Sequence, residues 1–83
     1  MVTREMLQEW VLHAIQYHRG AATVVQVSKW VWDNHQADLE ASGELFYRWQ
    51  YDLRWAANRL RTEGRLKAAD LSPRGTWELF QLS

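Results

Sequence analysis

The hydrophobic period of this 83-residue chain changes at Gly64. Before Gly64, apolar residues recur every three or four positions, which is the spacing of one face of an α-helix. After it, residues 65–69 alternate as a short strand, and residues 76–82 are rich in residues that favour strands. Pro73-Arg74-Gly75 has the chemistry of a tight turn between them. The sequence therefore predicts helices up to Gly64 and a β-hairpin beyond it.

The first two predicted helices cover about residues 3–19 and 23–35. Thr3 can cap the first helix, and Gly20 is a natural stop after it. The second begins with a capping box, in which Thr23 and a glutamine three residues later satisfy each other's backbone N–H groups. Ala21-Ala22 is too short for more than a linker or a stub of strand. Residues 36–43 are interpreted as a longer turn with room for one more helical turn.

The third predicted helix, about residues 45–63, is the most regular of the three. Trp49, Leu53 and Leu60 lie on one face at helical spacing, and Gly64 follows its last turn. Three helices followed by a β-hairpin is the element order of a winged helix. The predicted fold is therefore a single α+β domain over residues 1–83, a winged helix-turn-helix whose third helix precedes a hairpin wing.

The composition restricts the class of protein. A chain of this length has room for one domain. It has no cysteine, which excludes disulfides and thiolate zinc sites, and six tryptophans provide much of the buried area that a small domain needs. No apolar run approaches the roughly 20 residues that span a bilayer, and the N-terminal residues do not resemble a secretory signal. We expect a cytoplasmic protein, associated with the nucleoid if it binds DNA.

The net charge of zero is unevenly distributed. Residues 1–47 carry three basic and six acidic groups, whereas residues 48–74 carry seven basic and three acidic groups. A neutral protein with one basic segment can bind a polyanion locally, because charges interact over roughly 10 Å at ordinary salt. The alternative is that these arginines only solvate a helix.

From Trp55-Ala56 onward the chain resembles the N-terminal winged-helix domain of Mrr-type restriction endonucleases. The resemblance continues at Leu60, Gly64-Arg65-Leu66 and Arg74-Gly75-Thr76-Trp77, and it extends to Leu79. Ser42-Gly43 is similar to the Ser-Gly that precedes the third helix of those domains, so about residues 42–80 are covered. The family usually has an arginine where this chain has Asp52, and no role of that arginine is carried over.

The resemblance implies DNA recognition, either in a restriction or defence context or in transcriptional regulation. A recognition helix places its N-terminal half in the major groove, and a wing reaches the backbone or the minor groove. The candidates for binding double-stranded DNA are one tyrosine and seven side chains able to read bases or hold phosphates: Arg48, Tyr51, Arg54, Asn58, Arg59, Arg61, Lys67 and Arg74. Binding is expected to weaken with salt and in Arg48→Ala or Arg59→Ala.

A second hypothesis is a protein-interaction domain that forms a homodimer or binds a protein partner. Trp30 and Trp32 cannot point the same way on one helix, and Val25 and Trp32 form a second apolar stripe there. In this hypothesis Val25 and Trp32 contact the partner. Trp55 lies away from Leu53 and Leu60 by helical phase, and we expect it to pack against the hairpin or the first helix.

The sequence gives little support for catalysis. His13, His18 and His35 do not have the spacing of a metal pair, and no serine or threonine adjoins a histidine. There is no glycine-rich phosphate loop, and the Glu-x-Lys motif of the nuclease domain of Mrr-type enzymes is absent. We therefore predict no enzyme activity, cofactor, metal or small-molecule substrate.

Overall fold

The computed structural model describes residues 2–80, which form three α-helices and a small antiparallel sheet in an α+β, winged-helix-like arrangement. The predicted fold class is confirmed. The helices are α1 (Arg4–Tyr17), α2 (Val24–Glu40) and α3 (Trp49–Thr62). The strands are β1 (Ala21–Thr23) and β2 (Thr76–Glu78).

Both predicted helix caps are present. Met6 N donates to Thr3 Oγ1 at 3.2 Å, and the capping box of α2 is complete, with Thr23 N bound to Gln26 Oε1 and Gln26 N bound to Thr23 Oγ1. α1 ends after Tyr17 because the chain turns to positive φ at the two residues before β1. These local hydrogen bonds fix where the first two helices begin.

The second helix is longer than predicted, and the third begins later. α2 continues past His35, where the backbone leaves helical geometry at φ −133°, and ends at Glu40. The added residues place Leu39 fully in the core. Gly43–Tyr47 forms a 3₁₀ turn, so α3 starts at Trp49 rather than Leu45.

The core joins all three helices to the C-terminal part of the chain. α1 packs mainly against α3. The predicted core face of α3 is confirmed, with Trp49, Leu53 and Leu60 buried together with two alanines between them. Trp10 and Trp77 are also buried, whereas Trp30 is only partly buried. Burying large aromatics on three different elements is how a small domain gains enough apolar area.

The prediction of a hairpin between 65–69 and 76–82 is correct only in part. Within residues 2–80, pairing along this ladder is limited to the Leu66–Leu79 bridge and its flanking bonds, Lys67 N to Glu78 O and Phe80 N to Arg65 O. Residues 69–71 form a 3₁₀ turn, since two alanines offer a strand little apolar surface to bury. Residues 81–82 lie outside the described residues.

The main partner of β2 is the stub of strand between α1 and α2. Ala22 pairs with Trp77 and Thr23 with Thr76, and both Ala22 and Trp77 are buried. We call residues 65–80 the wing. Because β1 leads directly into α2, this pairing attaches the wing to the helical core.

Candidate nucleic-acid interface

A groove of about 700 Å³ lies between α3 and the wing, and we call it the basic groove. Arg54, Asn58 and Arg61 line it from α3, and Arg74 lines it from the wing. Four of the eight residues predicted to bind DNA therefore share one concave surface. Asp70 also lines this groove and contributes the opposite charge.

The helical side of the basic groove follows from spacing. Arg54, Asn58 and Arg61 stand at i, i+4 and i+7, so they form one stripe along α3. The stripe lies beside the buried face formed by Leu53 and Leu60. Packing of that face against the core therefore orients the three polar side chains toward the wing.

The wing side of the groove is a tight turn. Thr76 N donates to Pro73 O at 3.0 Å, and Gly75 has a φ of +77°, which a glycine adopts without strain. Gly75 O accepts a hydrogen bond from Val24 N at the start of α2. Arg74 is consequently presented at the tip of a turn that is attached to the helical core.

The groove arginines differ in their bonding. Within residues 2–80, the exposed side chains of Arg54 and Arg74 make no ion pair or hydrogen bond. Arg61 is half-buried and donates from Nη2 to Thr76 O at 3.4 Å, and its Nε is buried without a partner in this part of the chain. Arg54 and Arg74 thus present available charge, whereas Arg61 is engaged with the protein.

The other predicted cations lie in ion pairs outside the basic groove. Arg59 Nε is 3.6 Å from Glu63 Oε2, and Lys67 Nζ is 3.4 Å from Glu78 Oε2. The Arg59–Glu63 pair is exposed, and such pairs contribute about 0–1 kcal/mol, so a phosphate could replace the Glu63 carboxylate at small cost. The Lys67–Glu78 pair is half-buried.

Arg48 is in a different position from these two cations. Its Nη2 lies 3.4 Å from Oδ1 of Asp52, a carboxylate that is only 3% exposed. Asp52 occurs where the resemblance expected an arginine, and it is a buried partner for Arg48. Arg48 therefore compensates a buried charge and is less available than Arg54.

Tyr51 does not line the basic groove but projects from the first turns of α3 and is 75% exposed. Tyr47, four residues earlier, is 86% exposed and was absent from the predicted set. The i, i+4 spacing of the two tyrosines is the signal that could have revealed it. Ser72 was also missed, and it lines the groove only because the wing folds back on α3.

Val25 and Trp32 lie in a second concave surface, of about 430 Å³, which we call the apolar groove. Phe46 and Trp49 line it with them. Trp32 is half-buried and stacks on Trp49 with ring centroids 6.0 Å apart, whereas Val25 is 76% exposed. Trp32 therefore forms the wall of this groove and Val25 its exposed rim.

Two aromatic rings outside the grooves pack against other side chains of the domain. Trp55 is partly buried against the core, and the Arg4 guanidinium of α1 lies 4.7 Å from its ring centroid, so it packs on the first helix as expected. His35 stacks on Trp10 at 3.8 Å between centroids. Burial lowers the pKa of His35, and this exceeds the opposing effect of Asp38.

No family model, curated protein or solved structure matches the chain. Among residues 2–80, no helix is both long and apolar enough to cross a membrane. The same residues contain no group of three histidine, aspartate or glutamate side chains placed to hold a metal ion. The chemistry of the two grooves is therefore the basis for inferring a function.

Proposed function

We propose that this protein binds double-stranded DNA through the basic groove. One observation carries the proposal: Arg54 on α3 and Arg74 on the wing line the same groove, and neither has a carboxylate partner within residues 2–80. A cation without an internal partner breaks no ion pair when it contacts a phosphate. The contact is favourable because it releases counterions from the DNA.

The polar residues of α3 suit base recognition. An arginine can donate two hydrogen bonds to guanine, and an asparagine can donate one to adenine and accept one from it, each pairing contributing about 1–3 kcal/mol of discrimination. Arg54 and Asn58 are adjacent on the stripe of α3 that lines the groove. In this proposal they read neighbouring bases in the major groove, and Arg74 reaches the backbone or the minor groove.

The remaining predicted residues have supporting roles. Tyr51 extends the surface toward the start of α3, and Arg59 can exchange its exposed carboxylate partner for a phosphate. Lys67 would have to leave the half-buried Glu78 to do the same. We also propose kinship with the N-terminal domain of Mrr-type restriction endonucleases, which would give the binding a context in restriction or defence, with transcriptional regulation as the other. A cytoplasmic, nucleoid-associated protein without enzyme activity is the matching expectation.

The test is fluorescence anisotropy of a short labelled duplex of random sequence, titrated with protein from about 50 to 200 mM salt. We expect binding at low salt that weakens steeply as salt rises. Arg65→Ala is the matched control, because Arg65 is an exposed arginine that pairs with Glu9 at 3.7 Å and does not line the groove. Absence of binding at low salt and micromolar protein would refute the proposal.

A second candidate function is self-association through the apolar groove. The exposed Val25 beside the rings of Trp32, Phe46 and Trp49 favours it. Covering an apolar concave surface removes it from water, which lowers the free energy. Sedimentation at several concentrations would detect a homodimer, and Val25→Asp should return it to monomer. A protein that stays monomeric at every concentration would exclude this function. A DNA-binding homodimer combines both.

A further inference from the structure

Arg61 joins α3 directly to the turn of the wing. Within residues 2–80, it is the one predicted DNA-binding residue that does so. It lies near the end of α3, and its Nη2 donates to the carbonyl oxygen of Thr76, fifteen residues further along. Thr76 is the first residue of β2 and the last residue of the turn that begins at Pro73. This hydrogen bond therefore connects the two sides of the basic groove.

The turn that presents Arg74 is held at two other places. Inside the turn, Thr76 N donates to Pro73 O at 3.0 Å, and from α2, Val24 N donates to Gly75 O at 3.1 Å. Neither of these bonds involves α3. Arg61 thus supplies a polar connection between the turn and the helix that carries Arg54.

The guanidinium of Arg61 is poorly placed to bind a phosphate. Bidentate recognition of a phosphate uses two adjacent N–H groups of the planar fork. In Arg61, Nη2 is bound to Thr76 O and Nε is buried. The exposed Arg54 and Arg74 side chains have no such commitment within residues 2–80.

We propose that Arg61 is a positioning residue that sets the separation between α3 and the wing tip, and so holds Arg74 opposite Arg54. This inference rests on the proposed DNA binding. It differs from the direct contact with DNA that the sequence predicts for Arg61. Removing Arg61 should act on DNA only through Arg74.

The first test needs no DNA. Arg61→Met keeps most of the apolar stem and removes the donors, and ¹⁵N relaxation reports the backbone order of the wing turn. We expect the order parameters of Arg74 and Gly75 to fall from about 0.85 toward 0.6. Arg59→Met is the control, because Arg59 pairs with Glu63 and does not line the basic groove, and it should leave the turn unchanged. A turn equally ordered in Arg61→Met would overturn the proposal.

The second test is a double-mutant cycle on DNA affinity, with Arg61→Met, Arg74→Ala and their combination. We expect Arg61→Met alone to weaken binding about tenfold, the size of a lost charged contact. In the Arg74→Ala background it should weaken binding no further and leave the salt slope unchanged. Additive losses, with a further slope decrease of about 0.9, would show that Arg61 contacts phosphate and would overturn the proposal. If the wild-type protein binds no DNA, the proposed function fails, while the relaxation experiment still decides the positioning role.

Discussion

The two exposed sides of α3 both carry arginines, but they present these charges differently. On one side, Arg48 and Arg59 each have a carboxylate four residues later and pair with it. On the side toward the wing, no acidic residue stands four positions before or after Arg54 or Arg61. Since residues at i and i+4 are neighbours on a helix, this spacing determines which arginines of α3 pair with a carboxylate of the same helix. The number of basic residues alone does not.

The largest effect is expected from truncating Trp77, a side chain that belongs to both the basic groove and the core. Trp77 is buried, pairs with Ala22 across the sheet and lines the basic groove. Trp77→Ala should lower the free energy of unfolding by about 3–5 kcal/mol, measured by urea denaturation. Leu71→Ala, at an exposed wing residue, is the control and should have little effect. Near-normal stability of Trp77→Ala would mean that the wing is not anchored in the core.

The next prediction concerns recognition on the wing side of α3. Asn58→Ala should cost about 1–3 kcal/mol of binding to the preferred DNA site and should relax the preference at one base pair. Its salt slope should equal that of the wild type, because asparagine neutralises no phosphate. Competition assays with a panel of duplexes measure the preference. A uniform loss on every sequence would assign Asn58 to the backbone instead.

A smaller effect on stability separates the two paired arginines of the other side. Arg48→Ala leaves the buried Asp52 carboxylate without its ion-pair partner, and we expect a loss of about 1–2 kcal/mol. Arg59→Ala, whose partner Glu63 is exposed, should cost less than about 0.5 kcal/mol. Chemical denaturation of both variants gives the comparison. Equal losses would contradict the distinction between a buried and an exposed carboxylate.

The smallest predicted effect lies on the α1–α2 side, away from both grooves. The pKa of His35 is lowered from its ordinary value of 6.5, chiefly by burial against Trp10, with Asp38 opposing the shift and His13 adding to it. The unfolded chain therefore binds more protons near pH 6 than the folded one. The contribution of His35 to the free energy of unfolding is complete above pH 6.5. It decreases as the pH falls toward the lower pKa that His35 has in the folded protein.

Unfolding free energies measured from pH 8 to pH 5 test this prediction, with His35→Phe as the control that keeps a ring on Trp10. The wild type should lose more stability on acidification than the variant. An identical pH dependence would show that His35 titrates normally in the folded protein.

Much of the helical fold could be predicted because its signals are local. The caps at Thr3 and Thr23 and the periodic face from Trp49 to Leu60 depend on residues within a few positions of each other. The end of α2 was predicted too early, because burial of Leu39 carries the helix past His35. Tertiary packing overrode the local pattern there.

The wing and the basic groove were harder to predict because their partners are distant in sequence. β1 has only three residues, two of them alanines with little strand preference, and its pairing with β2 makes it a strand. The bond from Arg61 to Thr76 and the ion pair of Lys67 with Glu78 have no short-range signal. In contrast, the pairing of Arg59 with Glu63 could be predicted from the i, i+4 spacing.

The most direct test of the central claim compares salt slopes for binding to one duplex. The wild type and Arg65→Ala should have the same slope of log affinity against log salt, because Arg65 lies outside the basic groove. In the double variant Arg54→Ala, Arg74→Ala the slope should be shallower by about 1 for each of the two arginines that contacts a phosphate, with markedly lower affinity. A double variant with the wild-type slope and affinity would contradict the assignment of the DNA-binding surface to the groove between α3 and the wing.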